Sequence, residues 1–87
     1  MKKPIIIDVR EPFEYAASHV EGALNLPPAA LLAGAKLLAG AAKDTPIILY
    51  CRTGARSMAT MHYLKQMGFK NLTNGINQAH VEKLLGR

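Results

Sequence analysis

The chain has no tryptophan, one cysteine, two phenylalanines and three tyrosines among its 87 residues. A single cysteine excludes an internal disulfide framework and any metal site built from several thiolates. No histidine pair stands at metal-ligand spacing, so neither a metal nor another cofactor is expected. Acidic residues are also few: six against eleven basic ones, leaving a formal net charge of +5 and a pI of about 9.7. Such a balance brings nucleic acid into consideration. However, apart from Lys2-Lys3, the cations Lys36, Lys43, Lys65, Lys70, Lys83 and Arg87 are dispersed, with no interleaved aromatic series. A scattered, solvated positive surface that attracts small anions is the better reading, with no nucleic acid as partner. No apolar stretch reaches membrane-spanning length, and Met1-Lys2-Lys3-Pro4 is followed by no signal-peptide core. A cytoplasmic protein that engages no membrane is therefore expected, its free thiol suiting a reducing compartment. A periplasmic or otherwise secreted form whose signal has been removed reads the same.

What is present suits one small domain over residues 1–87, with 49% hydrophobic and 20% charged residues and no room for a second core. Ile5 to Val9 is short, β-branched and apolar on both faces, as in a parallel strand covered on both sides. Pro12 opens a short helix through about Ala17. Ala23 to Leu26 reads as a second strand, stopped by Pro27-Pro28. From Ala29 to about Ala42 the composition predicts a helix, its near-duplication LLAGAK and LLAGAAK supplying small residues for close packing on a sheet. Gly34 and Gly40 there allow close backbone approach. Ile47 to Tyr50 forms a third strand, and a helix runs from Ser57 to Met67, with Gly68 in a left-handed C′ position and Phe69 as its capping contact. Asn71 to Thr73 reads as an edge strand, and Asn77 caps a last helix over about Gln78 to Leu85. This alternation predicts an α/β fold with a parallel sheet, whose ligands bind beyond the carboxyl ends of the strands. Asp8, Arg10 and Glu11 follow strand one and Cys51 follows strand three, so all share one edge.

The stretch Cys51-Arg52-Thr53-Gly54-Ala55-Arg56-Ser57 joins that third strand to the helix. A thiol at a helix N-terminus beside two arginines has its pKa lowered, because N–H dipoles and cations stabilise the thiolate. Backbone amides of a tight loop converge on an anion in the same place. The expected object is a nucleophile in an anion cradle. Gly54 permits the bend.

Several segments together resemble the rhodanese (thiosulfate sulfurtransferase) family, and in particular its short single-domain, phage-shock-type members. These are IIIDVREPFEY with Asp8-Val9-Arg10, HVEGALNLP from His19 to Pro27, and YCRTGARS from Tyr50 to Ser57, followed by a helix and MGF. The resemblance implies a parallel sheet flanked by helices on both faces, with the cysteine loop curled around its own sulfur. Many members place a further strand and helix before the DVR segment; their lack here predicts a minimal sheet of about four strands. Where members often carry a Gly-Gly pair and then a tryptophan, this chain reads Asn74-Gly75-Ile76-Asn77-Gln78-Ala79-His80.

By that resemblance Cys51 attacks the outer sulfur of thiosulfate, releases sulfite and holds a persulfide, which cyanide or a thiol removes in a ping-pong cycle. The amides of Arg52, Thr53, Gly54, Ala55 and Arg56 surround the persulfide. Arg52, next to the nucleophile, points outward to the sulfonate end of a donor or serves the scaffold. Arg56 contacts substrate or bonds loop carbonyls or a carboxylate. Asp8, Arg10 and Ser57 are supporting residues, Asp8 anchoring the loop or an arginine. His19 is read as a structural hydrogen-bonding residue and His62 as a surface or core-edge one.

Two rivals stand beside this reading. Cysteine-dependent phosphatases, by resemblance, place five residues between cysteine and arginine; here four intervene, a loop sized for one sulfur atom and not a tetrahedral phosphoryl group. A non-catalytic docking module or a carrier passing persulfide sulfur to a protein acceptor is the other. Docking modules often lack the cysteine.

Overall fold

Alternation along two central strands decides which side of the molecule each core residue serves. The computed structural model describes residues 3–87; Met1 and Lys2, the start of the basic N-terminal pair, lie outside them. The elements are β1 (Ile5–Asp8), α1 (Pro12–Ala17), β2 (Leu24–Asn25), α2 (Pro28–Leu32), a 3-10 turn (Lys36–Leu38), β3 (Ile47–Cys51), α3 (Ala55–Gln66), β4 (Leu72–Asn77) and α4 (Gln78–Leu84). The strands form one sheet in the order β2-β1-β3-β4, every pair parallel. In β1 and β3, successive side chains point to opposite faces. Ile7 and Val9 with Ile47, Leu49 and Cys51 pack against Leu31 of α2 and Leu64 of α3. Ile6 and Tyr50 pack on the other face with Val81 of α4 and Tyr15 of α1. Both faces of the sheet are thus covered, which is why β1 and β3 carry apolar residues at consecutive positions. No helix among the described residues is long and apolar enough to cross a membrane.

The helix expected from Ala29 to about Ala42 forms only as far as Leu32. After α2, Gly34 turns through φ +106 and Ala35 through φ 51. The Gly34 amide bonds the Leu31 carbonyl and the Ala35 amide reaches back to the Ala30 carbonyl. That pair of bonds is a Schellman ending with Gly34 at C′, so the glycine stops the helix where alanines and leucines favour continuing it. The same device ends α3, where Gly68 bonds Lys65 and Phe69 bonds Leu64, as the sequence predicts. Nor do Gly34 and Gly40 mediate close approach: a Cβ built on either meets nothing within 4 Å.

The crowded glycine is Gly75. Its Cβ would lie 2.4 Å from Cγ2 of Val81 and 3.0 Å from Cγ2 of Ile48. It is also the extra residue of a β-bulge, because β4 aligns Asn74 with Leu49 but Ile76 with Tyr50. Ile76 consequently takes φ 71, which a β-branched residue seldom adopts. Strand β4 is longer than the Asn71 to Thr73 stretch read from sequence, and it runs directly into Asn77, whose Oδ1 accepts the His80 amide to cap α4.

Candidate active site

Strand β3 carries Cys51 to the carboxyl end of the sheet, where its side chain is 2% exposed on the α2–α3 face. The chain then turns through Arg52 and Thr53 to Gly54, which has φ +95 and precedes the first turn of α3. This turn folds the backbone back over the sulfur. The Gly54 amide donates to Cys51 Sγ at 3.0 Å. Ser57, fully buried in the first turn of α3, places Oγ 3.7 Å from Sγ.

Burial alone pushes the Cys51 thiol up. The backbone amide and hydroxyl of Ser57 and the amides of Thr53 and Gly54 outweigh it and bring the pKa down to about 7. The sequence assigns this lowering to two arginines and a helix N-terminus; the structure bears out the helix N-terminus, since Ser57 lies in the first turn of α3, and adds the loop amides and one hydroxyl in place of the arginines. Arg56 points its guanidinium at Glu14 of α1, with Nη1–Oε1 at 2.9 Å and Nη2–Oε2 at 3.3 Å. Its charge still couples to the Cys51 thiolate, after the stronger hold of Glu14. Of the open alternatives for Arg56, the carboxylate contact is the one formed. Arg52, Thr53 and Ala55 are exposed around the same loop.

Asp8 and Arg10 are brought together with one another, and set apart from the sulfur. The Arg10 guanidinium grips Asp8, with Nε–Oδ1 at 2.9 Å and Nη2–Oδ2 at 2.7 Å, and Nη2 also donates to the Ser18 carbonyl. Tyr50 Oη donates to Asp8 Oδ2 at 2.9 Å and accepts the Val20 amide at 3.0 Å. Burial, with the Asp8 carboxylate as acceptor, pushes the Tyr50 phenol up to about 12. This network ties β1, β3 and the segment after α1 on the sheet face opposite Cys51. Asp8 anchors an arginine and a tyrosine, not the loop.

His19 stacks on Tyr15 with ring centroids 3.7 Å apart, its Nδ1 2.7 Å from the Tyr15 carbonyl, consistent with the structural role read from sequence. His62 and His80 are exposed on α3 and α4. Among the described residues no group of three or more His, Cys, Asp or Glu side chains can hold a metal ion.

Two residues at the site were not found by sequence reasoning. Glu14 receives Arg56, and its carboxylate also accepts the Glu11 amide at 2.9 Å. The Glu11-Pro12-Phe13-Glu14 spacing was a readable sign of a capped helix start, though not of its partner. Asn74 bridges the loop: its Nδ2 donates to the Gly54 carbonyl at 3.1 Å and its Oδ1 accepts the Ser57 hydroxyl at 2.6 Å. No local pattern announces that contact, which depends on the pairing of β4 with β3.

Comparison with known proteins agrees with this geometry. The family described as Rhodanese-like domain matches residues 1–80. Among curated proteins the chain is similar to a sulfurtransferase of Allochromatium vinosum, 33% identical over 70 residues, covering 80% of this chain and 63% of that protein. It is likewise similar to the thiosulfate sulfurtransferase GlpE of Pseudomonas entomophila, 32% identical over 68 residues, covering 78% of this chain and 60% of that one. The chain thus spans less than two thirds of the length of these relatives. Among solved structures, a rhodanese with anions from E. coli superposes with a TM-score of 0.78 and 28% identity, covering 90% of this chain and 91% of the other.

Proposed function

This chain belongs to the rhodanese-like domain family, and we propose that it works as a single sulfurtransferase domain with Cys51 as its nucleophile. The observation that carries the reading is the sulfur itself, enclosed by the turn from Arg52 to Arg56 with the Gly54 amide at 3.0 Å and a pKa of about 7. About half of such a thiol is thiolate at neutral pH, against a few per cent for an ordinary cysteine.

The thiolate attacks the outer sulfur of thiosulfate or a related donor. A new S–S bond forms at Cys51, the donor's own S–S bond breaks, and sulfite leaves with the bonding electron pair. The loop amides that face Sγ then receive the negative charge of the persulfide. They are already oriented, so no reorganisation is needed as charge arrives. Cyanide or a thiol attacks the terminal sulfur, and Cys51 departs as thiolate, ready for another cycle. With Arg56 held by Glu14, exposed Arg52 is the cation assigned to the anionic end of the donor. The amides of Thr53, Gly54 and Ala55 complete the binding wall. The relatives' sulfurtransferase names support the reaction class; thiosulfate, the acceptor and a cytoplasmic setting are proposed.

The test is incubation with thiosulfate followed by intact-protein mass measurement. A gain of one sulfur on Cys51, with thiocyanate made from thiosulfate and cyanide by the wild type but not by Cys51→Ala, is the expected result. No mass gain, together with turnover of p-nitrophenyl phosphate, would instead support the phosphatase reading. Neither activity, together with specific protein capture that survives Cys51→Ser, would support a docking module.

A further inference from the structure

Asn74 lies on β4, outside the loop, yet its side chain touches Gly54 and Ser57, both of which face the sulfur. Its Oδ1 accepts the Ile76 amide at 3.0 Å, and its Nδ2 donates to the Gly54 carbonyl at 3.1 Å. A backbone N–H demands an acceptor and a backbone carbonyl demands a donor, so the amide has only one workable orientation. Oδ1 therefore faces Ser57 Oγ, 2.6 Å away, as an acceptor for its hydroxyl. The Gly54 carbonyl meanwhile takes the Met58 amide at 3.0 Å and lies 3.1 Å from Ser57 Oγ.

We infer that Asn74 is a positioning residue for Cys51: its amide fixes the Gly54 carbonyl and takes the one proton of the Ser57 hydroxyl from across the sheet edge, holding in register the loop amides that face the sulfur. The left-handed Ile76 that follows belongs to the same arrangement, since its amide steadies Oδ1. This inference rests on the reading of Cys51 as nucleophile, but not on which sulfur donor it meets.

The charged groups bearing on the sulfur are Arg56 of α3 and, through it, Glu14 of α1; neither contacts Asn74 in the bonds described above. The experiment is the pH dependence of iodoacetamide alkylation, which reports the Cys51 thiolate without any sulfur donor. Asn74→Ala is expected to raise the thiolate pKa by about one pH unit, the scale of one hydrogen bond to a charged group, and to slow alkylation several-fold at neutral pH. In a Ser57→Ala background the same substitution is expected to move it at least as far, because no Ser57 proton released from Asn74 is then present to turn to the sulfur and offset the loss. Leu72→Ala, on the same strand but packed on the core, is the control: it lowers the unfolding midpoint and leaves the pKa in place.

An unmoved pKa in Asn74→Ala, or a shift that shrinks when Ser57 is absent, overturns the inference. Should Asn74→Ala fail to fold, Asn74→Ser adds no charge and is too short to bridge the Gly54 carbonyl and Ser57. It must raise the pKa, and an unchanged value overturns the inference equally. A shifted pKa without persulfide formation would sink the sulfurtransferase reading and leave the role of Asn74 standing. Persulfide formation with an unmoved pKa does the reverse.

Discussion

The Gly54 amide faces the Cys51 sulfur at 3.0 Å because Gly54 adopts φ +95, ψ −11. An L-residue resists that conformation by roughly 1–2 kcal/mol. Space is also short: a Cβ there would lie 3.4 Å from Nδ2 of Asn74 and 3.6 Å from Cα of Ile76. Gly54→Ala is expected to cost about 2 kcal/mol of stability, strain and crowding together, and to withdraw the amide from the sulfur. Urea unfolding reads the first effect and iodoacetamide alkylation at neutral pH the second; wild-type alkylation would show that the loop does not depend on the bend.

The ionisation of Cys51 makes stability depend on pH with a definite sign. Its folded pKa, about 7, lies below the thiol's ordinary 9.0. Between those values the unfolded chain binds more protons, so stability rises with pH, is fully present above 9.0 and is lost as pH falls through 7. The advantage of wild type over Cys51→Ser is expected to grow by on the order of 2–3 kcal/mol across that window. Chemical denaturation at both ends of the window measures it, and a flat difference would contradict the thiolate assignment.

Asp8 is fully buried and accepts from Arg10 and Tyr50, so Asp8→Asn removes the charge that Arg10 was paired with. A loss of about 3 kcal/mol is expected, in the range for breaking a buried pair. Because the network lies on the face opposite Cys51, the thiolate pKa is expected to stay near about 7. Large destabilisation with unchanged alkylation would mark Asp8 as scaffold; a displaced titration would place it in the site.

The pair between Glu14 and Arg56 is partly exposed and correspondingly modest. Glu14→Gln is expected to cost about 0.5–1 kcal/mol at neutral pH. The hydrogen bond from Arg56, then that of the Glu11 amide, lower the Glu14 carboxyl from 4.5 to about 2. Its stabilisation is present above 4.5 and lost as pH falls through about 2, so wild type and Glu14→Gln should converge in that acid range. Freed from Glu14, the Arg56 side chain becomes available to an anionic donor, and a changed KM for thiosulfate at constant kcat would report it.

Elements whose signal is local were legible in the sequence, and those set by distant pairing were not. The isoleucines of β1 and the run Ile47 to Tyr50 announced strands covered on both faces, and both are. The loop was readable because strand, cysteine, glycine and helix follow one another without interruption. Gly68 was read as a helix stop; Gly34 makes the same Schellman ending, but lies within a run of alanine and leucine whose helix preference hid it. The partner of Arg56 is on α1, 42 positions away, and that of Ser57 is on β4, 17 positions away. Cations near a thiol read naturally as its stabilisers until a carboxylate from another element claims one of them.

The bulge at Gly75 has a consequence for chain length. Asn74 and Asn77 are three residues apart, an odd interval that regular strand alternation sends to opposite sides of a sheet. By absorbing one residue, the bulge sets Asn74 against Leu49 and Asn77 against Cys51, two positions on β3 that share a side. Both asparagines thereby fall in phase, one bracing the cysteine loop and the other opening α4. The pair Gly75-Ile76 is a spacer of fixed count. Removing Gly75 leaves Asn77 opposite Cys51 by simple alternation but abolishes the bulge, and with it the turn at Ile76 whose amide steadies Oδ1 of Asn74.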